Sequence, residues 1–334
     1  MEHNLRVLVT GAGGFIGSHL VTYLKRRGFW VRGVDIKLPE YAVSDGDEFE
    51  LLDLRRWDNC LQATRNVDQV YALAADMGGM GFISNHHAQI LHNNALINWQ
   101  TIEAARVNGV ERYFYTSSAC IYPEFKQTET EVTPLKESDA YPAFPQDAYG
   151  WEKLVTERLC SHYREDYGLE TRIVRFHNIF GTLGTWDGGR EKAPAAMCRK
   201  VAMAKLTGSP VVEIWGDGEQ TRSFCYIDDC LEGIYRLMCS DFHEPLNLGQ
   251  DRMVSINQLA DIVADIAGVE IVKKHVPGPQ GVRGRNSDNT LLRAVLGWEP
   301  EISLEEGLSR TYSWIEAQVR ARLAAGVEEP QLAA

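Results

Sequence analysis

Short apolar runs alternate with helical patterns along the first half of the chain. The runs LRVLVTG, WVRGVD, YALAA and RYFYTSS are rich in β-branched and aromatic residues, and segments such as NALINWQTIEAARVNG separate them. Short apolar runs favour strands, whereas apolar residues at helical spacing favour helices. The resulting β-α-β-α order predicts an α/β fold with a doubly wound parallel sheet and helices on both of its faces.

The pattern changes after about residue 180, where short strands and helices alternate with loops rich in Gly, Trp and Pro. We expect a large doubly wound domain, a smaller C-terminal α/β domain and a frayed tail. The expected ranges are 1–180 with a return segment at about 225–250 for the first domain, 181–224 and 251–325 mainly for the second, and 326–334 for the tail.

Composition narrows the class of protein. A chain of 334 residues with 44% hydrophobic content can bury a large core, and its net charge of -12 argues against a nucleic-acid partner. Its apolar runs are shorter than the roughly 20 residues of a membrane-spanning helix, and MEHNLRVLVTG does not have the pattern of a signal peptide. We therefore expect a cytoplasmic protein with no membrane partner.

The cysteines and histidines predict no metal site. The seven cysteines include no CxxC pair, which argues against both a disulfide framework and a thiolate zinc site. His86, His87 and His92 cluster, but without the spacing of a zinc-binding helix.

A glycine loop follows the first predicted strand. In TGAGGFIG, Gly11, Gly14 and Gly17 stand between a strand and a helix, where glycines permit a tight turn and close approach to a pyrophosphate. Asp35 ends the second strand, where a carboxylate accepts hydrogen bonds from ribose hydroxyls and repels a 2′-phosphate. The pattern predicts NAD rather than NADP. Asp53 is expected either at the adenine edge or as a helix N-cap.

Tyr149 and Lys153 lie at i, i+4 spacing in DAYGWEKLVTERLCSHY, so both project from one face of a predicted helix. An ammonium beside a phenol stabilises the phenolate, which lowers the tyrosine pKa toward the range of a general base. Lys153 can also bind the nicotinamide ribose. Ser118, at the end of the preceding strand, is expected to hold the reacting oxygen.

The order of TGAGGFIG, the LAA of 73–75, SSACIY, YGWEK and GDGEQTRSFCYIDD resembles the extended short-chain dehydrogenase/reductase family. This resemblance implies a Rossmann-type NAD-binding domain, a smaller substrate-binding domain, a nucleotide-diphosphate sugar as substrate, and a homodimer. The cofactor contacts that it implies are Gly11, Gly14, Phe15, Ile16, Gly17, Asp35, Asp53, Leu73, Tyr149 and Lys153.

Four further segments are more specific: LAADMGGMGFISN, SSACIYPEFKQ, GTWDGGREKAPAAMCRK and PGPQGVRGRNSDN closely resemble the GDP-mannose 3,5-epimerase family. The resemblance implies that NAD transiently oxidises C4 of GDP-mannose and that C3 and C5 are then inverted, giving GDP-L-galactose and GDP-L-gulose. In this interpretation Cys120 and Lys192 are the additional acid and base. The implied substrate contacts are Gly78, Ser118, Ala119, Cys120, Asn178, Glu191, Lys192, Ala193, Gln220, Thr221, Arg222 and Arg285.

The chemistry explains a thiol and an amine in such a site, because a C4 ketone acidifies the hydrogens on both neighbouring carbons. Cys120 lies two residues after Ser118 and is expected on the same side of the strand. The nicotinamide and Lys153 would favour its thiolate, and desolvation would favour a neutral Lys192. The simpler interpretation of Cys120, a small apolar filler, stays open on the residue alone.

Two other functions remain open at this point. A C4 epimerase or a 4,6-dehydratase of another nucleotide sugar would use the same Ser118, Tyr149 and Lys153, so these residues do not name the reaction. A dinucleotide-sensing protein would have the fold without turnover, although it would not need the three residues.

Overall fold

The structure is a computed structural model that describes residues 5–326. The expected frayed tail lies outside the described residues from residue 327 onward. The strands within the described range are β1 (Arg6–Thr10), β2 (Trp30–Asp35), β3 (Glu48–Leu51), β4 (Gln69–Ala72), β5 (Arg112–Ser118), β6 (Glu170–Phe176), β7 (Ile179–Phe180), β8 (Val211–Trp215), β9 (Thr221–Ser223), β10 (Cys225–Tyr226), β11 (Leu246–Leu248), β12 (Met253–Ser255), β13 (Val272–Val276) and β14 (Gly284–Arg285).

The helices of the same range alternate with these strands through most of the chain. They are α1 (Phe15–Arg26), α2 (Trp57–Ala63), α3 (Met80–Ile83), α4 (His87–Val107), α5 (Ala148–Tyr167), α6 (Ala193–Thr207), α7 (Ile227–Cys239), α8 (Ile256–Ala267), α9 (Thr290–Leu296) and α10 (Leu304–Ala324).

A parallel sheet dominates the described residues. Its seven strands follow the order β11-β6-β5-β4-β1-β2-β3, and each neighbouring pair is parallel. The chain leaves β1 toward β2 and later returns to its other side as β4, so the order reverses there. In such sheets the crevice at the carboxyl ends of the strands is where ligands bind. The predicted doubly wound fold is confirmed.

Both faces of the sheet are covered because the strand residues point alternately to opposite sides. Val7 and Val9 of β1 are in one buried cluster with Leu20 of α1. Leu8 between them is in a second cluster with Ile102 of α4. The sheet is therefore buried on both faces, which accounts for its nearly continuous apolar strands.

The second half of the chain adds smaller sheets beside the carboxyl edge. The β9 strand is the centre of a three-stranded sheet with β12 and β14, and β8 pairs with β13. The parallel register of β9 and β14 places Arg222 beside Arg285. The α6, α8 and α10 helices pack against one another in the same half.

The helices and the metal-ligating side chain types of residues 5–326 bear on the classes of ligand. None of their helices is long and apolar enough to cross a membrane. Their His, Cys, Asp and Glu side chains form no group of three or more that could hold a metal ion.

The N-terminus of α5 is capped by Asp147, whose Oδ1 accepts a hydrogen bond from Gly150 N at 2.8 Å. We expect Asp147→Ala to lower the free energy of unfolding by about 1 kcal/mol, because an amide at the helix start loses its acceptor. Chemical denaturation followed by circular dichroism measures this. Asp166→Ala, at the exposed last turn of the same helix, is the control and should change the free energy by less than about 0.5 kcal/mol. Equal effects of the two substitutions would contradict the capping role.

Candidate active site

The glycine loop joins β1 to α1 and leaves no room for side chains. A Cβ on Gly17 would lie 2.1 Å from the Gly11 carbonyl oxygen, and one on Gly13 would lie 2.1 Å from the Lys37 carbonyl oxygen. Gly14, the N-cap of α1, supplies no side-chain cap, so the first amides of the helix are free to bind an anion. Phe15 is the first residue of the helix. This cradle fits a dinucleotide pyrophosphate.

Asp35 lies beside this loop at the carboxyl end of β2. Its Oδ2 accepts a hydrogen bond from Gly13 N at 2.9 Å, and its Oδ1 accepts one from Ile36 N at 2.6 Å. The Leu73 amide approaches the loop from β4 and donates to Thr10 Oγ1 at 3.1 Å. The carboxylate is therefore oriented at the edge of the cradle, where a ribose would bind.

Asp53 does not cap a helix, so that alternative is wrong. The N-cap of α2 is Arg56, and Asp53 accepts from the Arg55 amide at 3.0 Å and pairs with the Arg55 guanidinium at 2.8 Å. The carboxylate closes a short turn before the helix, and the guanidinium of Arg55 lowers its pKa.

Ser118, Tyr149 and Lys153 converge at the carboxyl end of β5. Lys153 is buried on α5, and its Nζ donates to the Thr116 carbonyl at 2.7 Å while lying 5.6 Å from the centre of the Tyr149 ring. The hydroxyls of Ser118 and Tyr149 are in contact, which by itself would lower the Tyr149 pKa. The structure thus brings the three predicted hydride-transfer residues together.

The expected lowering of the Tyr149 pKa by Lys153 is wrong for the protein alone. Burial raises the Tyr149 pKa well above its usual value, because desolvation of the phenolate outweighs the contact with Ser118. Burial lowers the Lys153 pKa for the same reason, since it disfavours the ammonium.

The Cys120 thiol lies in the site, but strand alternation is not what orients it there. The β5 strand ends at Ser118, and Ala119–Ile121 form a short 3₁₀ turn, so strand alternation does not orient the thiol. Instead the Cys120 amide donates to Ser118 Oγ at 3.2 Å. An Arg285 Nη1 lies 3.3 Å from Cys120 Sγ. The thiol is partly exposed and faces a cation, which an inert apolar filler would not require.

Lys192 is the N-cap residue of α6, directly before Ala193. Desolvation lowers its pKa, and the nearby sulfurs of Cys120 and Cys230 act in the opposite direction. The shift toward a neutral amine agrees with the prediction. Cys120 and Lys192 therefore share one site although 71 residues separate them in the numbering.

Two glycine-containing loops meet beside Lys192. Gly79, next to Gly78, donates its amide to the Arg190 carbonyl at 3.1 Å, and a Cβ on it would lie 2.6 Å from the Glu191 carbonyl oxygen. The Glu191 carboxylate accepts from Gly189 N at 2.7 Å and pairs with Arg199 at 3.2 Å. That carboxylate is already bound within the protein, which leaves the Glu191 backbone for a substrate contact.

Arg222 and Arg285 form a cationic pair on adjacent strands. The Arg222 guanidinium donates to the carbonyls of Thr221 at 2.7 Å and Val282 at 2.6 Å. No carboxylate within residues 5–326 pairs with either arginine. Burial, followed by the charge of Arg285, lowers the Arg222 pKa to about 9. Two adjacent guanidiniums without a protein anion suit a diphosphate.

Asn178 and Gln220 lie on either side of this pair. Asn178 has a left-handed backbone, with φ of 46°, and its Nδ2 donates to the Ser223 carbonyl at 2.8 Å. Gln220 is buried and donates to the Trp215 carbonyl at 3.2 Å, whereas its Oε1 has no partner among residues 5–326. That buried oxygen is available to a ligand donor.

Sequence reasoning missed two groups of the site. The Thr116 carbonyl that holds Lys153 is a backbone atom, for which the sequence has no signal. Gln127 is almost fully buried and accepts from Arg285 Nε at 2.6 Å. A polar residue seven positions after Cys120, in the segment SSACIYPEFKQ, was the available signal.

Comparison with known proteins agrees with this geometry. The NAD dependent epimerase/dehydratase family matches residues 7–249. The chain is 56% identical over 329 residues to a GDP-mannose 3,5-epimerase of Oryza sativa subsp. indica, covering 98% of this chain and 86% of that protein.

Solved structures of nucleotide-sugar epimerases are similar as well. A UDP-glucose 4-epimerase from Thermotoga maritima, solved with UDP-glucose, has a TM-score of 0.84 and 26% identity, and covers 94% of this chain and 100% of that one. A UDP-glucose 4-epimerase of Thermus thermophilus in complex with NAD has a TM-score of 0.81 and 25% identity over 93% and 99% of the two chains. This chain belongs to the NAD dependent epimerase/dehydratase family.

Proposed function

We propose that the protein is an epimerase that inverts C3 and C5 of the hexose in GDP-mannose, with GDP-L-galactose and GDP-L-gulose as products. The observation that carries this proposal is the convergence of Cys120 and Lys192 on the site of Ser118, Tyr149 and Lys153. An enzyme that only inverts C4 needs the last three residues alone, since hydride removal and return complete its reaction.

The glycine loop of residues 11–17 and Asp35 would hold NAD, which would supply the acceptor and donor of the C4 hydride. Tyr149 takes the proton of the C4 hydroxyl as the ketone forms, and Ser118 donates a hydrogen bond to the same oxygen. Lys153, fixed by the Thr116 carbonyl, binds the nicotinamide ribose and supplies positive charge beside Tyr149. No net oxidation results, so the dinucleotide stays bound through the cycle.

Inversion uses the acidity of the carbons beside the ketone. A basic group removes the C3 or C5 proton, and the electron pair moves onto the C4 oxygen as an enolate. An acidic group on the opposite face then returns a proton to the carbon and restores the ketone. Cys120 and Lys192 fill these roles, since a thiolate and a neutral amine accept protons while a thiol and an ammonium donate them.

Arg222 and Arg285 bind the diphosphate in this proposal. Both guanidiniums lie beside Cys120, so a diphosphate held there places the attached hexose at the thiol. Gln220 and Thr221 continue the same surface toward the nucleoside, and Asn178 contacts the diphosphate. Gly78, Ala119 and Ala193 supply close backbone approach to the sugar.

A second copy of the chain is the partner that we propose. The outer surfaces of α4 and α5 expose Leu91 and Trp99 on one helix and Trp151 and Val155 on the other, each between 42% and 49% accessible. The two helices pack against each other, so these side chains form one apolar surface. Two-fold pairing of that surface would bury it in a four-helix contact.

We place the enzyme in the cytoplasm. None of the cysteines within residues 5–326 forms a disulfide, and a reducing compartment keeps a catalytic Cys120 thiol available.

Deuterium uptake tests the reaction. With GDP-mannose in D₂O, we expect deuterium at C3 and C5 of GDP-L-galactose and at C5 of GDP-L-gulose, because inversion at each carbon exchanges its proton with solvent. Nuclear magnetic resonance of the products measures the label. A product inverted at C4 without deuterium would indicate a C4 epimerase, and an absence of product would indicate a binding protein; either result contradicts the proposal.

Removal of the thiol should separate the two half-reactions, which are the oxidation of C4 and the inversion of C3 and C5. We expect Cys120→Ala to oxidise C4 and accumulate bound NADH absorbance while losing inversion by roughly 10²-fold or more, the usual scale for a positioned acid/base group. Cys239→Ala, an exposed cysteine at the end of α7, is the matched control and should retain full activity. Normal inversion by Cys120→Ala would assign the thiol to packing.

Light scattering coupled to size-exclusion chromatography tests the dimer. We expect twice the mass of the chain, and a single chain mass for Trp99→Glu with Trp151→Glu, because two buried carboxylates would destabilise the contact. Val272→Glu, on the exposed β13 strand, is the control and should remain dimeric. A monomeric wild-type protein would contradict this assembly.

A further inference from the structure

Gln127 lies at the junction between the Cys120 turn and β14, and its side chain is 1% exposed. Its Nε2 donates to the carbonyls of Tyr122 and Pro123, each at 3.1 Å, and its Oε1 accepts from Arg285 Nε at 2.6 Å. Both amide hydrogens and the amide oxygen are therefore engaged. A buried amide with all of these groups engaged has one orientation and little freedom to leave it.

The partners of Gln127 also determine which way its amide faces. Two carbonyl oxygens need donors, and a guanidinium N–H needs an acceptor, so rotation of the amide by 180° would break all three hydrogen bonds. The Gln127 backbone adds a second connection, since its carbonyl accepts from Arg283 N at 2.9 Å and Gly284 N at 3.2 Å. The residue thus links the turn that carries Cys120 to the strand that carries Arg285.

Arg285 needs such an anchor because of its neighbour. Arg222 lies beside it in the parallel register, and the two positive charges repel. Repulsion favours Arg285 rotamers that point away from Arg222. The hydrogen bond from Nε to Gln127 leaves Nη1 at 3.3 Å from Cys120 Sγ, within hydrogen-bonding distance of the sulfur.

We propose that Gln127 is a positioning residue that holds the Arg285 guanidinium against Cys120 Sγ, so that its positive charge faces the sulfur used in inversion. The proposal rests on the proposed function for the identity of the reaction. Gln127 touches neither the cofactor cradle nor the Ser118–Tyr149 pair, so once the substrate is bound it acts on the inversion half-reaction and not on hydride transfer.

The test uses the full-length protein with Gln127→Leu, which keeps the approximate volume and removes all three side-chain hydrogen bonds. We expect iodoacetamide to alkylate Cys120 roughly tenfold more slowly at neutral pH, on the scale of one lost hydrogen bond to a charged group. Mass spectrometry of the peptide that contains Cys120 measures the rate and separates this thiol from the others. The comparison needs no substrate.

With GDP-mannose, the same variant should slow inversion more than it slows oxidation of C4. At saturating GDP-mannose, which removes any loss of diphosphate binding by Arg285, we expect deuterium incorporation at C3 and C5 to slow by a similar factor. Formation of bound NADH during C4 oxidation should stay within about threefold of wild type. In the double variant Gln127→Leu with Arg285→Lys, the two effects on alkylation should be less than additive, because Gln127 acts through Arg285.

Asn289→Ala is the matched control for a merely structural loss. Asn289 is also a buried amide near β14, where it donates to the Gly249 carbonyl at 2.8 Å, but it does not contact Arg285. We expect this variant to lose thermal stability and to keep the wild-type alkylation rate of Cys120.

An unchanged alkylation rate in folded Gln127→Leu would overturn the proposal, as would an equal slowing in Asn289→Ala. Equal losses of C4 oxidation and of deuterium uptake would also overturn it, since they indicate general disruption of the site. A wild-type enzyme that takes up no deuterium would instead contradict the proposed function, and the alkylation comparison would still decide the role of Gln127.

Discussion

Positive charge concentrated around Cys120 is the constraint on which the rest of the site depends. Lys153 and Arg222 have pKa values lowered by burial, so the protein holds these cations at a cost in solvation free energy, and burial shifts Lys192 toward its neutral amine. Within residues 5–326, Arg222 and Arg285 lack a carboxylate partner that would offset this cost. An anion at this position, such as a diphosphate, a thiolate or an enolate, therefore offsets part of the solvation cost, and the site is preorganised for anions.

The fold concentrates positive charge around Cys120 by bringing together elements that are distant in sequence. Thr116 and Ser118 stand at the carboxyl end of β5, where a parallel sheet leaves a crevice. Lys192 enters from the start of α6, and Arg285 enters from β14, which is fixed in register beside β9. Each of these groups thus lies within a helix or strand or directly before one. This position limits how far repulsion can move the positive charges apart.

The sequence predicted what repeats locally, and it did not predict what depends on long-range packing. The strand of Trp30–Asp35, the glycine turn and the spacing of Tyr149 and Lys153 follow from apolar periodicity and steric rules, and the structure has them. The approach of Arg285 to Cys120 joins residues 165 positions apart, and no local pattern encodes it. The raised Tyr149 pKa likewise depends on burial, which the spacing does not measure.

The groups proposed for hydride transfer and the groups proposed for inversion lie in different parts of the structure. In the proposed reaction, hydride transfer uses groups of α5 and the end of β5, and that set of groups would serve any sugar with a hydroxyl at the reacting carbon. The groups proposed for inversion come from the turn of Ala119–Ile121, the residue before α6 and β14, all of which lie outside the central sheet. The buried amide of Gln127 joins two of these outer segments, the turn that carries Cys120 and the β14 strand. It therefore couples the groups proposed for inversion to one another and does not contact those proposed for hydride transfer.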